Sequence, residues 1–155
     1  MSFIITGLSG HQFSHLYGLN SDDLIAQGAL RVSVDQYPGF PDRITLRDIP
    51  VGENALLLNH QYLDTQSPYK GAHAIFIWEG RFDAGRYSNI LPEVMERRIL
   101  SLRGFDSQDM LIDARLAQRG EATAQILSLL SNDKVEFILA HNAKQGCFSC
   151  RIERD

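Results

Sequence analysis

The sequence predicts an α+β fold: a single domain with a mainly antiparallel sheet, a few helices and a C-terminal β-hairpin. Its length of 155 residues falls within the usual span of one domain, about 100–200 residues. No Gly/Ser-rich linker, repeat or charge block divides residues 1–155. The strand-like runs are joined by short connections, which favour antiparallel pairs because a parallel pair needs a long crossover.

The first half of the chain is predicted to form mainly short strands. Continuous apolar residues at Leu56–Leu58 and Ala74–Trp78 favour central strands that are covered on both faces. Two polar or proline-containing segments, Pro38–Pro41 and Asp64–Gly71, are predicted loops. The predicted strands of this half are Phe3–Thr6, Leu30–Val34, Ile44–Leu46, Ala55–Leu63 and Ala74–Glu79.

Three segments have helical patterns. Asn20–Asp23 precedes the apolar Leu24–Ala26, which predicts a capped helix that ends before Gly28. Pro92–Glu96 is a candidate helical turn with proline in its first position. Glu121–Leu130 has an apolar stripe at helical spacing, so we expect this helix to lie on a sheet.

The second half ends in strands. Asn142–Gly146 is a five-residue connection of hairpin length, so the two segments that flank it are predicted to form a β-hairpin. The predicted strands of this half are Ile99–Phe105, Met110–Leu116, Val135–His141 and Cys147–Arg154.

The charge balance argues against nucleic acid as a partner. Fifteen Lys and Arg against nineteen Asp and Glu give a net charge of -4, whereas phosphate-backbone binding requires a positive surface. The Arg97–Arg98 pair lies beside Glu93 and Glu96, which indicates a solvated, locally neutralised face. No apolar run approaches the ~18–20 residues that span a bilayer. The first cationic residue is Arg31, so we expect no secretory signal and a cytoplasmic location.

Known catalytic and cofactor motifs are absent from the sequence. There is no G-x-S-x-G elbow, phosphate-binding loop or dinucleotide-binding glycine motif. The histidines lack a metal-binding spacing, and two cysteines fall short of a closed zinc site. We therefore predict no cofactor and no metal.

The two cysteines are spaced as C-x-x-C but lie in a strand-like segment. Phe148, Cys150 and Ile152 alternate with polar residues, which predicts that they share one buried face. Cys147 is then expected to point away from the core and Cys150 into it. Three residues of extended strand separate their Cα atoms by about 10 Å, so we expect two reduced cysteines without a mutual disulfide.

Three of the five histidines fall on apolar strand faces: His60, His73 and His141. Each is predicted to be a polar group at the rim of a sheet, and a structural role is the simpler interpretation. His11 and His15 share a face only if their segment is helical. An imidazole at a sheet rim can also titrate near neutral pH or bind an anion.

Short segments along nearly the whole chain form a distinctive ordered set. They are Phe3–Leu8, Pro38–Pro41 with Arg43, Gly52–Glu53 before Leu56–Leu58, Ser67–Tyr69 before His73–Phe76, and His141–Ala143 before Gly146–Phe148. The set resembles the bacterial domain-of-unknown-function family DUF1203. The resemblance implies a stand-alone domain of this size with no established activity, so it lends no catalytic residue. The family's loop often reads P-G-F-P-C-R, whereas this chain has Asp42 in place of that cysteine. A disulfide or metal site between such a thiol and Cys147 is therefore not expected here.

Two functional hypotheses follow. The first is a domain that binds a small anionic ligand, with an enzyme of undetermined reaction as one form of it. Loops Pro38–Arg43, Ser67–His73 and His141–Cys147 join rigid turns to groups that can pair with an anion. If these loops do not meet, Arg43 is expected to pair with Asp42, Asp48 or Glu53. The candidate ligand-binding residues are Arg43, Tyr69, His73, His141, Asn142 and Cys147.

The second hypothesis is a non-catalytic protein-interaction module, with a homodimer as one form of it. Here an exposed aromatic patch would form the contact surface. The candidate residues of that patch are Phe40, Tyr69, Trp78 and Phe82.

Overall fold

Two antiparallel β-sheets form the frame of the computed structural model, which describes all 155 residues. The strands are β1 (Phe3–Thr6), β2 (Ala29–Ser33), β3 (Asn54–Leu63), β4 (Gly71–Trp78), β5 (Arg86–Ser88), β6 (Leu100–Phe105), β7 (Leu111–Ala117), β8 (Phe137–Asn142) and β9 (Phe148–Arg154). The helices are a 3₁₀ helix (Gly10–Leu16), α1 (Ser21–Ala26), α2 (Glu93–Glu96) and α3 (Ala122–Leu130). The predicted α+β class, antiparallel pairing and C-terminal hairpin are confirmed.

The larger sheet has six strands in the order β5-β1-β9-β8-β6-β7. Helix α3 packs on one of its faces, because the apolar stripe of Ile126, Leu129 and Leu130 is fully buried against strand residues such as Leu102 and Ile138. On the opposite face, Phe137, Leu139 and Phe148 form a second apolar cluster with β6 and with Leu63 at the end of β3. This second cluster is where the two sheets meet.

The smaller sheet has three strands in the order β2-β3-β4. The prediction that Ala74–Trp78 is a central strand is wrong, because β4 lies at the edge of this sheet. The loop segment Asp42–Arg43 runs beside that edge. The Arg43 amide donates to the Phe76 carbonyl at 3.3 Å, and the Trp78 amide donates to Asp42 Oδ1 at 2.8 Å. The loop therefore satisfies backbone groups that an edge strand leaves unpaired.

The predicted strand Ile44–Leu46 is instead a turn. The Asp42 carboxylate accepts hydrogen bonds from the Ile44 and Thr45 amides, at 3.1 and 2.7 Å. These bonds hold the backbone in a turn around the carboxylate. Leu46 has a φ of 60°, which no strand residue adopts. A side-chain acceptor thus overrides the strand preference of this apolar segment.

A β-bulge changes the predicted face of one residue in β9. Ala140 pairs with Cys150, and His141 pairs with Phe148, so Ser149 is an extra residue. Cys150 and Ile152 face α3, while Phe148 joins the cluster on the opposite face. The prediction that Phe148 shares a face with Cys150 is therefore wrong. Both cysteines are free, as predicted, with Cys150 in the core.

Two short elements were not predicted, the 3₁₀ helix and β5. The 3₁₀ helix buries Phe13 and Leu16 against the smaller sheet, and β5 adds three residues beside β1. No helix has the length and apolar character needed to cross a membrane.

Candidate functional site

The candidate site is a cavity of about 510 Å³ beside the edge strand β4, within the 300–1,000 Å³ range of ligand pockets. It lies between β4, the loop that ends at Arg43 and the connection from β8 to β9. We call it the arginine cavity. Its polar lining residues are Gln36, Arg43, His73, Arg98, Asn142, Gln145 and Cys147, and its other lining residues are Gly39, Pro41, Leu57, Ala74, Ile75 and Phe76.

Arg43 is a buried cation in the wall of this cavity. Only 2% of the residue is exposed, yet no carboxylate lies within ion-pair distance. Its guanidinium donates to the Phe148 and Pro41 carbonyls, each at 2.8 Å, and to Cys147 Sγ at 3.0 Å. Burial lowers the pKa of this guanidinium, and the neighbouring Cys147 partly offsets that effect. The guanidinium remains charged at neutral pH.

The turn between β8 and β9 places Asn142 and Cys147 opposite each other. The Asn142 amide donates to the Cys147 carbonyl at 2.9 Å, and Gly146 adopts a φ of 77° that closes the turn. Asn142 Nδ2 also donates to Cys147 Sγ at 3.5 Å. Cys147 Sγ therefore receives hydrogen bonds from a charged guanidinium and from an amide.

Two histidines pack against each other at one end of the cavity. The rings of His73 and His141 are 5.3 Å apart, and Tyr62 contacts both. His141 Nδ1 lies 3.1 Å from the Gly146 carbonyl, which can only accept, so Nδ1 carries the proton. Burial, the largest effect, lowers the pKa of His141 to about 4. Burial and the charges of Arg103 and Arg43 also lower the pKa of His73.

Three buried side-chain atoms in this region have no hydrogen-bond partner within the protein. They are His73 Nδ1, His141 Nε2 and Asn142 Oδ1. An unpartnered buried polar atom costs about 1–3 kcal/mol, and native structures contain few of them. Such atoms are therefore concentrated beside one cavity.

Residues 39–154 match the model of a family described as "Protein of unknown function (DUF1203)". The chain belongs to this family. No match was found among curated proteins or among solved structures. The part of the chain that matches DUF1203 includes every residue that lines the arginine cavity except Gln36.

The structure brings four of the six candidate residues of this DUF1203 protein into one cavity: Arg43, His73, Asn142 and Cys147. His141 does not line the cavity, although its ring packs edge-on against that of His73. Tyr69 lies elsewhere, with its ring 6.0 Å from that of Phe105. The carboxylates predicted as alternative partners of Arg43 bind other groups. Asp42 accepts from the Thr45 amide, Asp48 pairs with Arg98, and Glu53 accepts from the Trp78 indole.

Sequence reasoning missed Arg98, Gln145 and Gln36. Arg98 forms a two-pronged ion pair with the buried Asp48 at 2.6 and 3.2 Å, and Arg97 contacts the same carboxylate at 3.3 Å. Neutralisation near this arginine pair was predicted from Glu93 and Glu96, but Asp48 is the main partner of Arg98. Because Asp48 is fifty residues away in sequence, local charge patterning could not identify it.

The aromatic residues of the interaction hypothesis do not form one exposed patch. Trp78 is only 7% exposed, and Arg81 stacks over its ring at 3.9 Å. Phe40 is half-buried against Phe76. Tyr69 and Phe82 are the exposed members of that set. No group of three or more His, Cys, Asp or Glu side chains is arranged to hold a metal ion.

His141 is expected to make the stability of the DUF1203 protein depend on pH. Its pKa is about 4 in the folded protein and about 6.5 in an unfolded chain. Between these values the unfolded chain binds the extra proton, so stability is lost as the pH falls from about 6.5 toward 4. We expect His141→Gln to remove about 2 kcal/mol of the stability difference between pH 7 and pH 5.

Urea unfolding of both proteins at pH 7 and pH 5 measures this difference. His15→Gln, at an exposed position, is the matched control and should leave the difference unchanged. If the stability of the wild type and that of His141→Gln depend equally on pH, His141 is not the group responsible for the loss.

Proposed function

We propose that this protein binds a small anionic molecule in the arginine cavity. The observation that carries the proposal is the charge of the lining: Arg43 and Arg98 line the cavity, and no Asp or Glu does. This is a local concentration of positive charge in a chain whose net charge is -4. A planar guanidinium is suited to a carboxylate or a phosphate, since its donors match two oxygens at once.

The buried state of Arg43 supports an anionic partner. A buried charge without a counter-charge is costly, and three protein acceptors occupy only part of its five N–H groups. An anion in the cavity would supply the missing charge. Arg98 is already oriented by Asp48 and by the Val94 carbonyl, so its position does not depend on the ligand.

The unpartnered polar atoms indicate what else the ligand carries. Asn142 lines the cavity, and its unpartnered Oδ1 is a hydrogen-bond acceptor. Leu57, Ile75 and Phe76 add apolar wall. The ligand class we propose is therefore a small anion with a hydroxyl or amide donor and a short apolar part.

A cytoplasmic location belongs to the same proposal. The two free cysteines support it, since reduced thiols are typical of a reducing compartment.

Thermal unfolding in the presence of small anions tests the binding proposal. We expect phosphate, acetate or lactate, compared with chloride at equal ionic strength, to raise the melting temperature by about 3–5 °C at roughly ten times the Kd. Gln145→Glu places a carboxylate in the lining and should weaken binding about tenfold. Gln66→Glu adds the same charge at an exposed position outside the cavity and should not.

Alkylation of Cys147 gives a second, local measurement. Cys150 is fully buried, and burial raises its pKa to about 12, so iodoacetamide should label Cys147 alone in the folded protein. A bound anion should slow this labelling. If no anion changes the melting temperature or the labelling rate beyond the chloride control, the proposed function is wrong.

A further inference from the structure

A second cationic depression adjoins the arginine cavity. Its volume is about 500 Å³, and its lining includes the cations Arg97, Arg98, Arg119 and Lys144 but no carboxylate. We call it the outer hollow. Arg98, Asn142 and Gln145 line both depressions. The two are therefore neighbours that share a common wall.

The fold brings the cations of the outer hollow together from three parts of the chain. Arg97 and Arg98 follow α2, Arg119 lies between β7 and α3, and Lys144 lies in the β8–β9 connection. The amide of Ala143, next to Lys144, donates to the Ile99 carbonyl at 3.0 Å and holds this connection beside the arginines. The positive charge therefore results from tertiary structure and does not come from a basic run in the sequence.

The cations of the outer hollow are only partly neutralised. Asp48 pairs with both Arg97 and Arg98, and Glu93 contacts Arg97 at 3.5 Å. Arg119 and Lys144 have no carboxylate within the 4.0 Å ion-pair distance, and both are exposed. The hollow therefore keeps positive charge that a second anionic group can use.

We propose that the ligand is an elongated molecule with two anionic groups, one beside Arg43 in the arginine cavity and the other between Arg119 and Lys144 in the outer hollow. This inference rests on the proposed function and names its ligand class. Linking two groups makes the second contact intramolecular, so the spacer between them decides the gain in affinity. Arg98, in the shared wall, lies beside the path of the spacer.

The test compares one-ended and two-ended anions on the full chain. Calorimetry or thermal shift would measure the binding of straight-chain α,ω-dicarboxylates from four to eight carbons against monocarboxylates of equal length, and of α,ω-bisphosphonates against monophosphonates. We expect one of the two series to show an optimum spacer at which the two-ended anion binds about tenfold tighter than the one-ended anion. The series that shows it identifies the anionic group.

The double variant Arg119→Gln/Lys144→Gln should reduce that ratio to about the twofold expected for two identical ends. Its matched control, Arg86→Gln/Lys134→Gln, removes the same charge from exposed positions outside both depressions and should retain the tenfold ratio. Binding of one-ended anions with no two-ended advantage, or an advantage that survives in the Arg119/Lys144 variant, overturns this inference alone. Absence of binding by every anion overturns the proposed function as well.

Discussion

Replacing Asp42 by alanine is expected to lower the free energy of unfolding by about 3–5 kcal/mol. The side chain is fully buried. Its oxygens accept hydrogen bonds from the Ile44 and Thr45 amides, from Thr45 Oγ1 at 2.6 Å and from the Trp78 amide at 2.8 Å. Alanine would leave these donors without the acceptor that orients the turn and ties it to β4.

Urea or thermal unfolding of Asp42→Ala measures this loss. Asp64→Ala removes an exposed carboxylate whose ion pair with Lys70 spans 4.0 Å, and this control should change stability by less than about 0.5 kcal/mol. Asp42→Cys should lose nearly as much stability, because a thiol is a weak acceptor. Wild-type stability in Asp42→Ala would show that the turn does not depend on this carboxylate.

Arg43→Met is expected to lower the free energy of unfolding by about 2–4 kcal/mol and to abolish anion binding. Methionine fills part of the volume but donates to neither the Pro41 nor the Phe148 carbonyl, which both accept from Arg43 at 2.8 Å. The expected loss in free energy of unfolding is smaller than the loss of three charged hydrogen bonds would suggest, because the variant no longer buries a cation.

Arg43→Lys separates the two effects of this substitution. It keeps a positive charge but has no planar fork, so we expect partial recovery of stability with weak anion binding. Arg86→Met, at an exposed position in β5, controls for loss of an arginine and should leave both properties unchanged. Full anion binding by a folded Arg43→Met protein would exclude Arg43 from the binding site.

Most of the fold could be predicted because its strands are short runs of alternating or continuous apolar residues and its connections are short. Ala55–Leu63, for example, forms β3 within one residue of the predicted bounds. The errors lie where a tertiary or side-chain contact overrides a local pattern. Ile44–Leu46 bends because Asp42 accepts its amides, and the extra residue Ser149 reverses the face of Phe148.

The site could be predicted only in part. Proline, glycine and asparagine in the loops indicated rigid turns, and the structure places Arg43, His73, Asn142 and Cys147 from those loops around one cavity. Tyr69 belongs to the same loop class but packs on Phe105. Arg98 could not be identified because the carboxylate that holds it, Asp48, is distant in sequence.

The pairing of β9 between β1 and β8 has a consequence for how the protein folds. Phe3 pairs with Arg154, so the contact joins residues from opposite ends of the sequence described here. Closing so large a loop carries an entropic cost that must be met before the strand contacts can compensate for it, and such long-range contacts slow folding. We therefore expect β1 to join β9 late, after the local β8–β9 hairpin has formed. Arg43 contacts Phe148 and Cys147 across more than 100 residues, so the arginine cavity should also close late, after the β3–β4 hairpin that supplies His73 has already formed.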